Sequence, residues 1–167
     1  MKQSILVLVG LPGSGKSTWL ARHGIQAIST DQIRLILSDD PTNQNIHARV
    51  FATVRYLLRQ RLAIGRPLSY IDATHLTPVE RKPYLEIARS YACAAEAMFF
   101  DTPIEECLRR NALRERVVPL EAIQAMAAKL EKPTLAEGFT RVTVFCTATR
   151  LTAIGVQPKS IERERPL

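Results

Sequence analysis

The chain has 167 residues, 46% of them hydrophobic, which suffices for one well-buried domain and excludes two of ordinary size. Its 23 basic and 16 acidic residues leave a net charge of +7, a balance that suits a polyanionic partner as well as a merely solvated basic surface. No stretch reaches the roughly 18 consecutive apolar residues of a membrane span, and Met1 to Ser4 lead into a core strand rather than a signal peptide, so the expectation is a cytoplasmic protein without membrane contact.

The apolar run Ile5 to Val9 predicts a buried strand over about 4–9, and Gly10 to Ser17 follow at once as GLPGSGKS. This is a complete P-loop. Gly10, Gly13 and Gly15 free the backbone, with Leu11, Pro12 and Ser14 between them, so that several N–H groups converge on a phosphate chain at a helix N-terminus. Lys16 supplies a mobile charge for β- and γ-phosphates, Ser17 a hydroxyl for Mg²⁺ and Thr18 a donor for the α-phosphate. Nucleotide binding follows from these eight residues and their strand-then-helix setting.

A helix then runs to near Gly24, and Ile25 to Ser29 fit a second strand. Thr30 or Asp31 would cap a helix through Leu37, ahead of a polar turn over 39–43. From Gln44 to Ile64 apolar residues recur at helical spacing until Gly65 closes the run. Leu68 to Asp72 predict a third strand, Thr77-Pro78 a helix start, and Ala94 to Phe100 a fourth strand. Asp101-Thr102-Pro103 launch the next helix, and Val118-Pro119 launch one more with Ile123, Met126, Ala127 and Leu130 on one face. Arg141 to Thr147 predict a fifth strand, after which 157–167 read as a charged tail. Strands alternate with helices, so the expected fold is α/β: a mostly parallel five-stranded sheet flanked by helices, with the ligand at the strands' carboxyl ends.

The residues after each strand are therefore the ones to read for chemistry. Asp31, after strand 2, could accept the proton of an incoming hydroxyl, and Arg34 could hold an anionic group on the acceptor; spacing alone favours a helix cap for the first and a solvated charge for the second. Asp72 could orient a magnesium shell or merely cap its loop. Arg110 and Arg114 stand four apart, the spacing of one helix side, where their planar forks could cover a transferring phosphoryl group or simply face solvent. His75 could face the acceptor or be merely a loop residue, and with nothing paired to it in sequence the loop residue is expected. Cys93, Cys107 and Cys146 are odd in number and lack metal-ligand spacing, so they read as small, buried, reduced hydrophobes.

Taken in order, GLPGSGKSTWL, STDQIR (29–34), IDATHLTPVER (71–81), FFDTP (99–103) and LRRNALRERVVPLEAIQAM (108–126) resemble the kinase domain of phage and bacterial polynucleotide 5′-hydroxyl kinases, over about residues 4–135. The resemblance implies a P-loop NTPase fold with a helical lid over about 114–132, in a kinase domain spanning 1–156. It implies ATP and Mg²⁺ as cofactors and a nucleic-acid 5′ end as partner. It makes Asp31 the general base, Arg34 the ligand of the acceptor-strand phosphate, and Arg114 the clamp on the donor phosphates. The D-x-D-x-T of an attached phosphatase is missing, so a kinase domain standing alone is expected. The stretch from Asp72 to Leu76 is one residue longer than in the phage enzyme, which leaves Thr74 and His75 without roles by position. Small-metabolite kinases of the gluconate or adenylylsulfate type share much of this scaffold, and an ATP-binding regulatory module is the reading from another class.

Overall fold

The structure, a computed structural model, describes residues 2–146 and 152–154. The tail expected over 157–167 and the last residue of the expected fifth strand, Thr147, lie outside the described residues.

Strand β1 (Ser4–Val9) is buried because it sits between two neighbours and under helices on both faces. It pairs in parallel with β3 (Leu68–Asp72) on one side and β4 (Ala94–Asp101) on the other; β2 (Ile28–Ser29) extends the first side, and β5 (Arg141–Cys146) the second. A short strand β6 (Thr152–Ile154) then pairs antiparallel with β5, so the order is β2-β3-β1-β4-β5-β6. The sheet has six strands where five were expected. Three residues without alternating polarity give no period-2 signal.

Residue alternation along β1 divides the core. Ile5, Val7 and Val9 face α3 (His47–Ala63) and α4 (Pro78–Ser90), whose Val50, Val54, Leu58, Tyr84 and Leu85 are buried against them. Leu6 and Leu8 face α1 (Lys16–Arg22) with Trp19, Leu20, Phe100 and Phe145. A third cluster, Leu11, Leu76 and Cys107, joins the P-loop to α5 (Ile104–Ala112) and α6 (Leu120–Lys129).

Several boundaries differ from those expected. β2 has two residues rather than five, because Ile25 and Ala27 spend their apolar side chains on the Trp19 cluster while only Ile28 and Ser29 reach the β3 ladder. The N-cap of α2 (Thr30–Ser38) is Ser29, so neither Thr30 nor Asp31 is the cap. A separate 3₁₀ turn occupies 44–46, and α3 begins only at His47. α5 ends at Ala112, which places Arg114 in the following bend and not one helical turn above Arg110. Of the cysteines only Cys107 is buried; Cys93 is half-buried, and Cys146, at the carboxyl end of β5, is exposed.

One long-range device holds the region after α6 in place. The fully buried Arg81 of α4 donates from Nε and Nη2 to the Glu137 carboxylate, both at 2.8 Å, and from Nη1 to the carbonyls of His75 (2.8 Å) and Glu131 (3.0 Å). Glu137 also accepts from the N–H of Thr134 at 3.0 Å. Removing Arg81 leaves the half-buried Glu137 carboxylate with only the Thr134 N–H and takes a donor from the His75 and Glu131 carbonyls, so Arg81→Met should cost about 3–5 kcal/mol in urea unfolding. A loss of less than about 1 kcal/mol would show that the pair is not a structural anchor.

Candidate active site

The carboxyl end of β1 opens into a cleft of about 1180 Å³. The cleft lies where the chain leaves β1 between β3 and β4, the position at which an open parallel sheet gathers its loops. Gly10, Gly13 and Gly15 take φ of +153°, +81° and +103°. Gly13 is the position that tolerates nothing larger, since a Cβ there would overlap the Cys107 carbonyl of α5. Leu11 turns away from the cleft onto Leu76 and Cys107, and the Gly10 N–H is fixed to the Thr74 carbonyl at 3.0 Å. The loop is thus clamped between the β3 loop below and α5 above.

Lys16 is 8% exposed and donates to the carbonyls of Gly10 (2.7 Å) and Leu11 (2.9 Å). Burial pushes its pKa down to about 8, against the opposing pull of Asp72. Ser17 and Thr18 are exposed at the start of α1 and line the cleft. Asp72, at the end of β3, also lines it; burial raises its pKa, with Lys16 acting in the other direction.

On the opposite wall stand Asp31 and Arg34 of α2. The Asp31 carboxylate is 63% exposed, lies 3.2 Å from Arg34 Nη1, and meets Arg116 Nη1 at 3.5 Å through its other oxygen. Because Ser29 takes the cap position, Asp31 is left facing the cleft rather than its own helix backbone. Arg34 is 5% exposed, and its Nε has no hydrogen-bond partner among the described residues.

Arg110 and Arg114 both reach the cleft, by different routes. Arg110 donates from Nε to Glu106 at 2.6 Å, and its Nη1 stands 3.5 Å from where a Cβ on Gly15 would lie, so it covers the P-loop. Arg114 is delivered by the bend after α5, close enough to lower the pKa of both Lys16 and Asp72. A residue without an assigned role in the sequence reading builds that bend. The Asn111 side chain is buried, donates to the Val118 carbonyl at 2.8 Å and accepts from the Val118 N–H at 3.0 Å, closing the loop that carries Arg114 and Arg116. An asparagine just before the arginines, with Val-Pro seven residues on, is the signal that could have revealed it.

His75 is a core residue rather than a surface loop residue. Its Nδ1 lies 2.7 Å from the Leu8 carbonyl, its ring sits edge-on to Tyr84 at 5.0 Å, and burial pushes its pKa down to about 4. It is neutral at physiological pH and does not line the cleft.

The cleft thus gathers a phosphate loop, oxygen donors from Ser17 and Asp72, a carboxylate on the opposite wall and the arginines Arg110, Arg114 and Arg116. The family described as "AAA domain" matches residues 5–133, most of the chain. The chain belongs to that family. Among curated relatives it is 34% identical to the human L-seryl-tRNA(Sec) kinase over 89 residues, covering 53% of this chain and 26% of that one. It is 25% identical to the bifunctional polynucleotide phosphatase/kinase of Schizosaccharomyces pombe over 149 residues, 84% of this chain and 33% of that one. The chain therefore spans a third or less of the length of these relatives. Among solved structures it resembles a chain of a Pnkp1/Rnl/Hen1 complex at 28% identity and TM-score 0.56, over 71% of this chain and 41% of that one. A gluconokinase from Sinorhizobium meliloti 1021 shares the fold at 21% identity and TM-score 0.58, over 89% and 85% of the two chains. No described helix is long and apolar enough to cross a membrane.

Proposed function

We propose that the protein transfers the γ-phosphoryl group of ATP to a hydroxyl borne by a nucleic acid, with a polynucleotide 5′-hydroxyl as the preferred acceptor. The observation that carries the acceptor is Arg34: a buried guanidinium lining the cleft, held to Asp31 through one nitrogen and with its Nε unpartnered among the described residues. A buried donor is costly until something accepts from it, and the guanidinium fork matches phosphate. The first internucleotide phosphate beside a 5′-hydroxyl is such an acceptor. Two of the relatives, by name, act on a polynucleotide or on a tRNA-borne serine, which supports the same class.

In this reading the P-loop amides and Lys16 hold the β- and γ-phosphates, with Thr18 at the α-phosphate. Ser17 and Asp72 offer oxygens that fit Mg²⁺, which when bound would draw charge from the phosphates. Asp31 takes the hydroxyl proton as the new O–P bond forms, while the bond to the bridging oxygen breaks and ADP leaves with its electron pair. Arg114, supported by Arg110, stabilises charge on the transferring group, and the stretch 114–132 serves as a lid that excludes water.

The lowered pKa of Lys16 has a readable consequence. Polyphosphate contact favours its charged form, so ATP binding takes up a proton once the free lysine begins to titrate near 8. ATP affinity should be flat below about pH 7.5 and fall between pH 8 and 9.5, by up to about one log unit per pH unit. Calorimetry in buffers of different ionisation enthalpy should show proton uptake on binding at pH 8.5; uptake of none would place Lys16 outside the phosphate site.

The acceptor assignment is tested by salt. The KM for a single-stranded 5′-hydroxyl oligonucleotide should rise with ionic strength, with roughly 0.7 log units per log of salt for each phosphate neutralised. Arg34→Ala should raise that KM and flatten the slope by about one phosphate's worth, with ATP affinity little changed. A wild-type slope near zero would favour a small neutral acceptor. The human and mouse tRNA kinases, 34% and 38% identical over their aligned stretches, favour one second reading, a seryl hydroxyl on a tRNA. Kinases of the gluconate and adenylylsulfate type share the fold alone.

A further inference from the structure

Positive charge is not spread evenly over this protein. Residues 41–71 contain no Asp or Glu, yet Arg49, Arg55, Arg59, Arg61 and Arg66 all fall within them. Several arginines elsewhere are matched with carboxylates, Arg81 with Glu137, Arg109 and Arg110 with Glu106, and Arg141 with Glu96, whereas Arg22, Arg89 and Arg114 stand singly without an ion pair among the described residues. Among the described residues, the arginines of α3 have no such partner. Arg61 is committed instead to the Ser69 hydroxyl and the Leu68 carbonyl. Glu80, which shares the surroundings of Tyr84 with Arg55, is committed to the Leu76 N–H at 2.8 Å.

The arrangement of the remaining groups is directional. His47, Phe51, Arg55 and Arg59 follow one another at intervals of four along α3, which makes them one continuous ridge. Its first two members line the active-site cleft with Asp31 and Arg34, their rings 4.6 Å apart. His47 is exposed and Phe51 half-buried, so the pair presents an aromatic surface to the cleft. The last two carry the ridge out of the cleft over a rise of roughly 18 Å from His47 to Arg59. Aromatic rings followed by arginines without carboxylate partners, Arg59 touching only the Arg55 carbonyl at 3.5 Å, are what a single strand requires: a face for a base, then charge for the phosphates that follow.

Resting on the nucleic-acid reading above, we infer that the His47–Phe51–Arg55–Arg59 ridge of α3 is the track along which the acceptor strand leaves the active site. A base near the 5′ end stacks on Phe51 and His47, and Arg55 and Arg59 neutralise phosphates a few nucleotides downstream. The surface is thus specific for single strands longer than the reacting nucleotide and carries no preference for base identity.

Acceptor length tests it. KM is measured for a 5′-hydroxyl dinucleotide and a twelve-nucleotide single strand, in wild type and in the double variant Arg55→Gln/Arg59→Gln, which changes one half-buried and one exposed side chain and is checked for an unchanged melting temperature. Wild type should favour the longer acceptor by about tenfold or more, and the double variant should bring that ratio within about twofold while reducing the salt slope by about 1.4. Phe51→Ala should raise KM for the longer acceptor by about tenfold. A double variant that keeps the wild-type length ratio and salt slope overturns the track while leaving the kinase reading intact. Wild type that phosphorylates neither oligonucleotide overturns the nucleic-acid reading, and the track with it.

Discussion

Asp31→Asn is expected to leave ATP binding nearly unchanged and to lower phosphoryl transfer by about 10²- to 10⁴-fold, the span that a positioned general base contributes. The amide keeps the size of the side chain and can still accept from Arg34, so the local structure survives; what disappears is the ability to take a proton from the incoming hydroxyl. The structure sharpens this expectation, because Ser29 rather than Asp31 occupies the N-cap of α2 and no capping loss accompanies the change. The carboxylate is held by Arg34 at 3.2 Å and Arg116 at 3.5 Å while remaining 63% exposed to the cleft. Single-turnover transfer measured beside ATP titration separates the outcomes. Retained transfer with a lowered melting temperature would make Asp31 a structural residue.

Lys16→Met is expected to reduce transfer by about 10²- to 10³-fold, as for loss of a preorganised transition-state donor, without destabilising the fold. Burial holds the folded pKa of Lys16 near 8, below its usual 10.5, so the charged side chain costs stability on the order of 3 kcal/mol at neutral pH. That cost is present below pH 8 and is recovered as pH rises from about 8 towards 10.5. Methionine removes the charge; the Leu11 carbonyl keeps the Ser14 N–H at 3.1 Å, and the buried Gly10 carbonyl, which loses its donor, offsets only part of the gain. Activity and stability should therefore move in opposite directions, the pattern of a group kept for function. Thermal unfolding and turnover on the same preparations check it; a melting temperature lowered by several degrees would show that Lys16 is chiefly structural.

What could be read along the chain was whatever short-range chemistry encodes. The P-loop is eight consecutive residues, and β1, β3 and β4 are apolar runs bounded by polar turns, so their boundaries came within a residue. Asp31 and Arg34 stand three apart on one helix, and they do meet. What escaped depends on distance or on very short elements. Arg81 and Glu137 are 56 positions apart, and nothing local marks Arg81 as buried rather than solvated. His75 lies in a polar loop, yet its ring is folded under β1 by the Leu8 carbonyl 67 positions away. The four-residue spacing of Arg110 and Arg114 misled, because the helix stops at Ala112 and Asn111 ties down the bend that follows. The ridge on α3 was hidden for the opposite reason: its arginines are obvious, but only the fold shows that their row begins inside the cleft.

Transfer from ATP to a nucleic-acid hydroxyl is tested by offering γ-labelled ATP and Mg²⁺ with four acceptors in parallel: a single-stranded 5′-hydroxyl oligonucleotide, a seryl-tRNA, gluconate and adenylylsulfate. The label should appear on the oligonucleotide and be removed by a 5′-phosphatase, with no metabolite labelled at a comparable rate, and Asp31→Asn should abolish it. Labelling of gluconate or adenylylsulfate under conditions that leave both nucleic acids unlabelled would make the protein a small-metabolite kinase instead.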